Sequence, residues 1–148
     1  MLVKLIFMEK TYTQLYIHIV FAVQNREPLI KKDWRDRLYH YITAIVQNHG
    51  PKMLSIGGVE DHVHLLIGLN PKEALSNLVK ELKRDSTIWI NRNRLVMGRF
   101  SWQEGYGAFS YTKSQLPVVC GYIGNQEIHH QKKTFAEEYD GILRKYGN

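Results

Sequence analysis

A single cysteine, Cys120, excludes an intrachain disulfide and any zinc or iron–sulfur centre built on thiolates. It reads as a small buried hydrophobe, and nothing in the chain requires an oxidising compartment. No apolar run is long enough to span a bilayer. The opening Met1-Leu2-Val3-Lys4-Leu5-Ile6-Phe7-Met8 is apolar but lacks a full signal-peptide core followed by a small-residue cleavage site. Residues 1–11 therefore read as a flexible N-terminal extension, with Met8 an alternative start, and the cytoplasm is the default location. Internal repeats, low-complexity tracts and linker-like stretches are also missing, which leaves one domain over residues 1–148. Acidic residues are the minority. The 20 Lys and Arg against 14 Asp and Glu give a formal charge of +6, which suits a polyanionic partner, nucleic acid being the commonest.

Turn and helix signals divide what remains. Residues 12–23 are rich in aromatic and β-branched side chains and stop at Gln24-Asn25-Arg26-Glu27-Pro28, which predicts a first strand carrying His18 in a packing or supporting role. Residues 31–49 place Trp34, Leu38, Tyr41, Ile42, Ile45 and Val46 at helical spacing before Gly50-Pro51. Two strands follow, 52–59 and 62–69, close enough for a hairpin around Glu60-Asp61, with Gly57-Gly58 as a bulge or tight turn. Pro71 is expected in the first turn of a helix over 71–91, its apolar stripe being Leu75, Leu78, Val79, Leu82, Ile88 and Trp89. Lys80, Lys83, Arg84, Arg92 and Arg94 lie on and after that helix, as a solvated face or as phosphate contacts. A loop with Trp102, Tyr106 and Phe109 leads into a fourth strand over 107–112. A Gly-containing helix over 115–131 and an amphipathic one over 134–146, with Phe135, Tyr139, Ile142 and Leu143 on one side, complete the chain. The order β-α-β-β-α-β-α-α predicts an α+β, ferredoxin-like (RRM-like) fold: a four-stranded antiparallel sheet with helices packed on one face.

Chemistry concentrates in two places. In His62-Val63-His64 the histidines are two apart on a strand, so they share a face while Val63, Leu65 and Ile67 point to the other. Two adjacent imidazoles can grip a metal ion, or they can be hydrogen-bonded structural residues. Tyr122 and Gln126 are four apart on a helix and share a face; one offers a phenolic nucleophile, the other a hard carbonyl ligand. Asp61 could orient a ligating imidazole or simply shape the turn. His129 and His130 could add a metal or DNA contact, or sit at a helix C-terminal surface.

Together these parts resemble the single-tyrosine HUH transposases of bacterial insertion sequences, a group that includes REP-associated members and mobilises single-stranded DNA. The resemblance runs from the strand ending near Phe21 through Gly57-Gly58, Asp61-His62-Val63-His64-Leu65-Leu66 and the 82–91 helix. It continues through Trp102-Gln103, Gly105-Tyr106-Gly107-Ala108-Phe109-Ser110 and Tyr122-Ile123-Gly124-Asn125-Gln126, with His129-His130. It implies that His62, His64 and Gln126 bind Mg²⁺ or Mn²⁺, and that Tyr122 attacks the scissile phosphate to leave a 5′-phosphotyrosine. It also implies hairpin-bearing single-stranded DNA ends as substrate and a homodimer, with Tyr122 serving its own or the partner's histidine pair. Lys80, Lys83, Arg84, Arg92, Arg94 and Tyr106 are then the candidate DNA contacts. Two other readings of the same residues are a non-catalytic nucleic-acid-binding module of this fold and a zinc-dependent hydrolase that forms no adduct.

Overall fold

The computed structural model describes residues 11–130 and 134–146. The expectations for the N-terminal extension and for an alternative start at Met8 lie outside the described residues, as do the side chains of His129 and His130. Four strands, β1 (Tyr16–Ala22), β2 (Lys52–Gly58), β3 (His62–Gly68) and β4 (Gly107–Tyr111), form one antiparallel sheet in the order β2-β3-β1-β4. The helices are α1 (Lys32–Asn48), α2 (Leu75–Arg92), α3 (Leu116–Gly124), α4 (Gln126–His130) and α5 (Phe135–Tyr146). The first six elements give the β-α-β-β-α-β ferredoxin-like layout. Among the described residues no helix is long and apolar enough to cross a membrane.

The sheet has helices on both faces, not on one. Ile19 and Phe21 of β1 and Val63, Leu65 and Ile67 of β3 pack with Trp34, Leu38 and Ile42 of α1 and Leu78 and Leu82 of α2 in the main core. The opposite face carries His18, His64 and Leu66. There Leu66 packs with Val119 and Ile123 of α3, and half-buried Cys120 and Tyr122 border that smaller cluster. Both faces are covered, so the two central strands are buried almost throughout.

Other boundaries differ for local reasons. Pro71 lies in a turn where Asn70 Oδ1 accepts from the Lys72 amide (3.0 Å), and the helix begins only at Leu75. Ile88 is exposed; Ser86 and Ile90 take the buried positions instead. Ser86 Oγ donates to Leu82 O (2.7 Å) and accepts from Trp102 Nε1 (2.9 Å). Trp102 is thereby fixed edge-on to Phe21 and Phe100, as a core residue. The 115–131 helix is broken at Asn125, whose φ of −106° and ψ of 25° end α3 one residue before α4 begins. The bulge in β2 falls between Met53 and Ser55, not at Gly57-Gly58, which stay in register with His64 and Val63.

Candidate active site

Strand register places Gly57, His64, Val20 and Gly107 in one row across the four strands. The two ends of that row bear glycine because a helix descends on each. A Cβ on Gly57 would lie 2.2 Å from the carbonyl oxygen of Ile123 in α3. A Cβ on Gly107 would lie 2.7 Å from Cε2 of Tyr139 in α5. Between these contacts, α3 and α5 come close to the histidine-bearing centre of the sheet. Gly57→Ala is expected to push α3 off the sheet and lower the melting temperature by several degrees, because the backbone of Ile123 must move to admit the methyl group. Thermal melts of the two proteins check this; an unchanged melting temperature would show that the seat of α3 does not matter.

His62 and His64 are fully buried, with ring centroids 5.0 Å apart. Each is held from behind through Nδ1. Asp61 Oδ1 lies 2.7 Å from Nδ1 of His62, so this turn residue also orients the ring. His18 Nε2 lies 2.8 Å from Nδ1 of His64, and His18 Nδ1 lies 3.5 Å from the Tyr111 hydroxyl. Partners at Nδ1 direct both Nε2 atoms toward the C-terminal helices, the arrangement that prepares imidazoles as ligands. Gln126 Oε1 is 3.2 Å from Nε2 of His62, and Gln126 Nε2 donates to the backbone oxygen of Tyr122 (3.4 Å). The buried Arg35 steadies this segment, donating to Glu127 Oε1 (2.9 Å) and to Ile30 O (3.0 Å).

Tyr122 stands edge-on to His64, ring centroids 5.9 Å apart and planes at 86°. Burial pushes its phenol above the usual value, and the charge and hydrogen bond of Glu138 push it the same way; the Gln126 hydrogen bond opposes them. Glu138, which residue spacing does not single out, completes the site. Its carboxylate on α5 is buried, 2.7 Å from Nε2 of His64 and 3.8 Å from Nε2 of His62. The available signal was a single acid at the i+3 position from Phe135 and the i−4 position from Ile142, within an otherwise apolar stripe.

The residues fit a divalent ion. Two imidazole nitrogens, an amide oxygen and a carboxylate oxygen meet here: Nε2 of His62 lies 3.2 Å from Gln126 Oε1 and 3.8 Å from Glu138 Oε1, Nε2 of His64 lies 2.7 Å from Glu138 Oε1, and ligand atoms of His62, His64 and Glu138 all lie within 4.8 Å of one another. Ligands at about 2.1 Å around one ion lie roughly 3 Å apart, so this donor set has the right spread. His18 stays neutral here: burial, then the neighbouring His64, lowers it from 6.5 to about 3, with Glu138 opposing. The unfolded chain therefore binds more protons than the folded one between those values. In metal-free protein the contribution of this group to stability is expected to be complete above pH 6.5 and to fall by up to about 1.4 kcal/mol per pH unit as pH drops toward 3. Thermal melts of wild type and His18→Gln across that range check it; the variant should show the shallower loss.

The candidate DNA contacts separate into two groups. Lys80, Lys83, Arg84 and Tyr106 line a groove between α2 and the 99–106 loop, joined there by Arg99. Lys83 Nζ donates to the carbonyls of Gln103 and Gly105 and so also holds that loop. Arg92 and Arg94 are exposed at and beyond the end of α2 and do not line the groove.

The family model described as "Transposase IS200 like" matches residues 11–126. The ISDra2 transposase TnpA of Deinococcus radiodurans is 30% identical over 118 residues, covering 76% of this chain and 84% of that protein. Two solved structures share the fold. A protein from Deinococcus radiodurans R1 aligns with a TM-score of 0.62 at 22% identity, over 79% of this chain and 95% of its own. A REP-associated tyrosine transposase bound to a REP hairpin aligns with a TM-score of 0.62 at 14% identity, over 82% and 72%.

Proposed function

The chain belongs to the IS200-like transposase family, and from that premise we propose that it cleaves and rejoins single-stranded DNA through a phosphotyrosine on Tyr122. The observation that carries the proposal is the approach of Tyr122, His62, His64 and Gln126 to one another on a single sheet face. His62, His64 and Gln126 would hold Mg²⁺ or Mn²⁺, which when bound supplies a Lewis acid for a phosphate oxygen. The oxygen and carboxylate donors beside the imidazoles favour such a hard ion over zinc.

In the cleavage step Tyr122 Oη forms a bond to phosphorus and the bond from phosphorus to the 3′ oxygen breaks. The phenolic proton leaves Tyr122, and one proton ends on the departing 3′-hydroxyl. The 5′ end stays attached to the tyrosine. A 3′-hydroxyl from a second strand reverses the step, so rejoining conserves the phosphodiester and needs no nucleotide cofactor. Asp61 and His18 keep the imidazoles oriented, and Gln126 ties the metal-facing side to the backbone of Tyr122.

The groove of Lys80, Arg84, Arg99 and Tyr106 suits a DNA backbone with a base stacked on Tyr106. The hairpin-bound structural relative supports a hairpin as the element recognised. A homodimer belongs to the same reading, supported by the apolar side chains of Val118 and Ile128 exposed on α3 and α4; sedimentation of the purified protein decides it. The test of the activity is incubation with hairpin-flanked single-stranded oligonucleotides and Mn²⁺ or Mg²⁺. The expected product is a protein–DNA adduct with a free 3′-hydroxyl on the released strand. Release of both fragments free in solution would instead indicate hydrolysis and overturn the tyrosine pathway.

A further inference from the structure

We propose that Glu138 is itself a ligand of the divalent ion, so that metal binding latches α5 onto the histidine pair. This inference rests on the metal-dependent reading of the same site. Three observations carry it. The carboxylate is buried, and it faces the Nε2 edges of both histidines, at 2.7 and 3.8 Å. The other edges of both rings are occupied, by Asp61 and by His18, so Nε2 is where a cation or a proton must mediate between imidazole and carboxylate. Two neutral imidazoles and an amide bring no charge to a dication, whereas a buried carboxylate needs a positive partner and supplies the missing anion.

The fold makes the approach of α5 deliberate. Gly107 has no side chain where Tyr139, the residue after Glu138, rests on β4. That close approach, together with the edge-on packing of Tyr139 against Phe109, seats α5 where Glu138 reaches the histidines. Gln126 approaches from α4 on the His62 side, at 3.2 Å, and Glu138 is closest to His64. The ion would then be held by β3, α4 and α5 together. An incoming DNA phosphate has to share the ion with Glu138 or displace it, which couples the position of α5 to the loading of the site.

The test uses the full chain and Mn²⁺ alone, without DNA. Mn²⁺ affinity is measured by electron paramagnetic resonance or calorimetry, and amide exchange of the α5 peptides is followed with and without the ion. Glu138→Gln keeps the shape and removes the charge; it is expected to weaken Mn²⁺ binding by roughly 10-fold or more. Mn²⁺ should slow exchange in α5 of the wild type and leave α5 of Glu138→Gln unchanged. Glu138→Asp, whose shorter carboxylate keeps the charge, should bind between the two and provides the comparison if the glutamine variant folds poorly. Equal Mn²⁺ affinity in wild type and Glu138→Gln, with metal-insensitive exchange in α5, would overturn this inference and leave the His62–His64–Gln126 reading intact. A wild type that binds no Mn²⁺ would overturn both.

Discussion

Tyr122→Phe is expected to bind single-stranded DNA as the wild type does and to form no covalent adduct, with cleavage reduced on the order of 10⁴-fold or more. The substitution keeps the ring that stands edge-on to His64 and removes only the oxygen that would attack phosphorus. Packing changes little, because the ring borders the Leu66, Val119 and Ile123 cluster through its carbon atoms. The lost hydroxyl had a hydrogen bond to Glu138, so a modest shift in melting temperature accompanies the change. Gel-shift and adduct assays on the same preparation separate binding from chemistry. An adduct on the phenylalanine protein would assign the nucleophile elsewhere.

The second large effect is expected at the histidines. His62→Gln or His64→Gln should abolish Mn²⁺ binding and lower cleavage by about 10³-fold or more, since the phosphate then loses the charge stabilisation the ion supplies. Glutamine is the informative replacement, because alanine in a fully buried position adds a cavity cost of its own. Chelation of the wild type should reproduce the loss, and added Mn²⁺ should restore it. Full-rate cleavage by chelated wild type would remove the metal from the account.

Much of this site could be read from residue spacing because it depends on two short periods. The period of two in β3 puts His62 and His64 on the face opposite Val63, Leu65 and Ile67, and the register confirms that division. The period near four brings Tyr122 and Gln126 together even though Asn125 breaks the helix between them. Glu138 was hidden for a different reason. An acid on an amphipathic helix normally marks its solvated side, but α5 packs through Tyr139 onto Gly107 and Phe109, and Glu138 is buried there. Gly57 posed the same difficulty. A glycine in a strand can mean a bulge or a close approach, and which applies depends on what packs above it, here the carbonyl of Ile123. The helices on both faces did have a trace in the sequence. The runs Ile17–Val23 and Val63–Ile67 are nearly continuous in apolar residues, as expected of strands covered on both sides, whereas a one-sided sheet would alternate.

Whether Tyr122 becomes joined to DNA is decided by mapping the adduct. Wild-type protein is incubated with hairpin-flanked single-stranded DNA and Mn²⁺, digested with nuclease and protease, and examined by mass spectrometry. One modified peptide is expected, carrying a 5′-linked nucleotide on Tyr122. A nucleotide on any other residue, or cleaved DNA with no modified peptide, would contradict it.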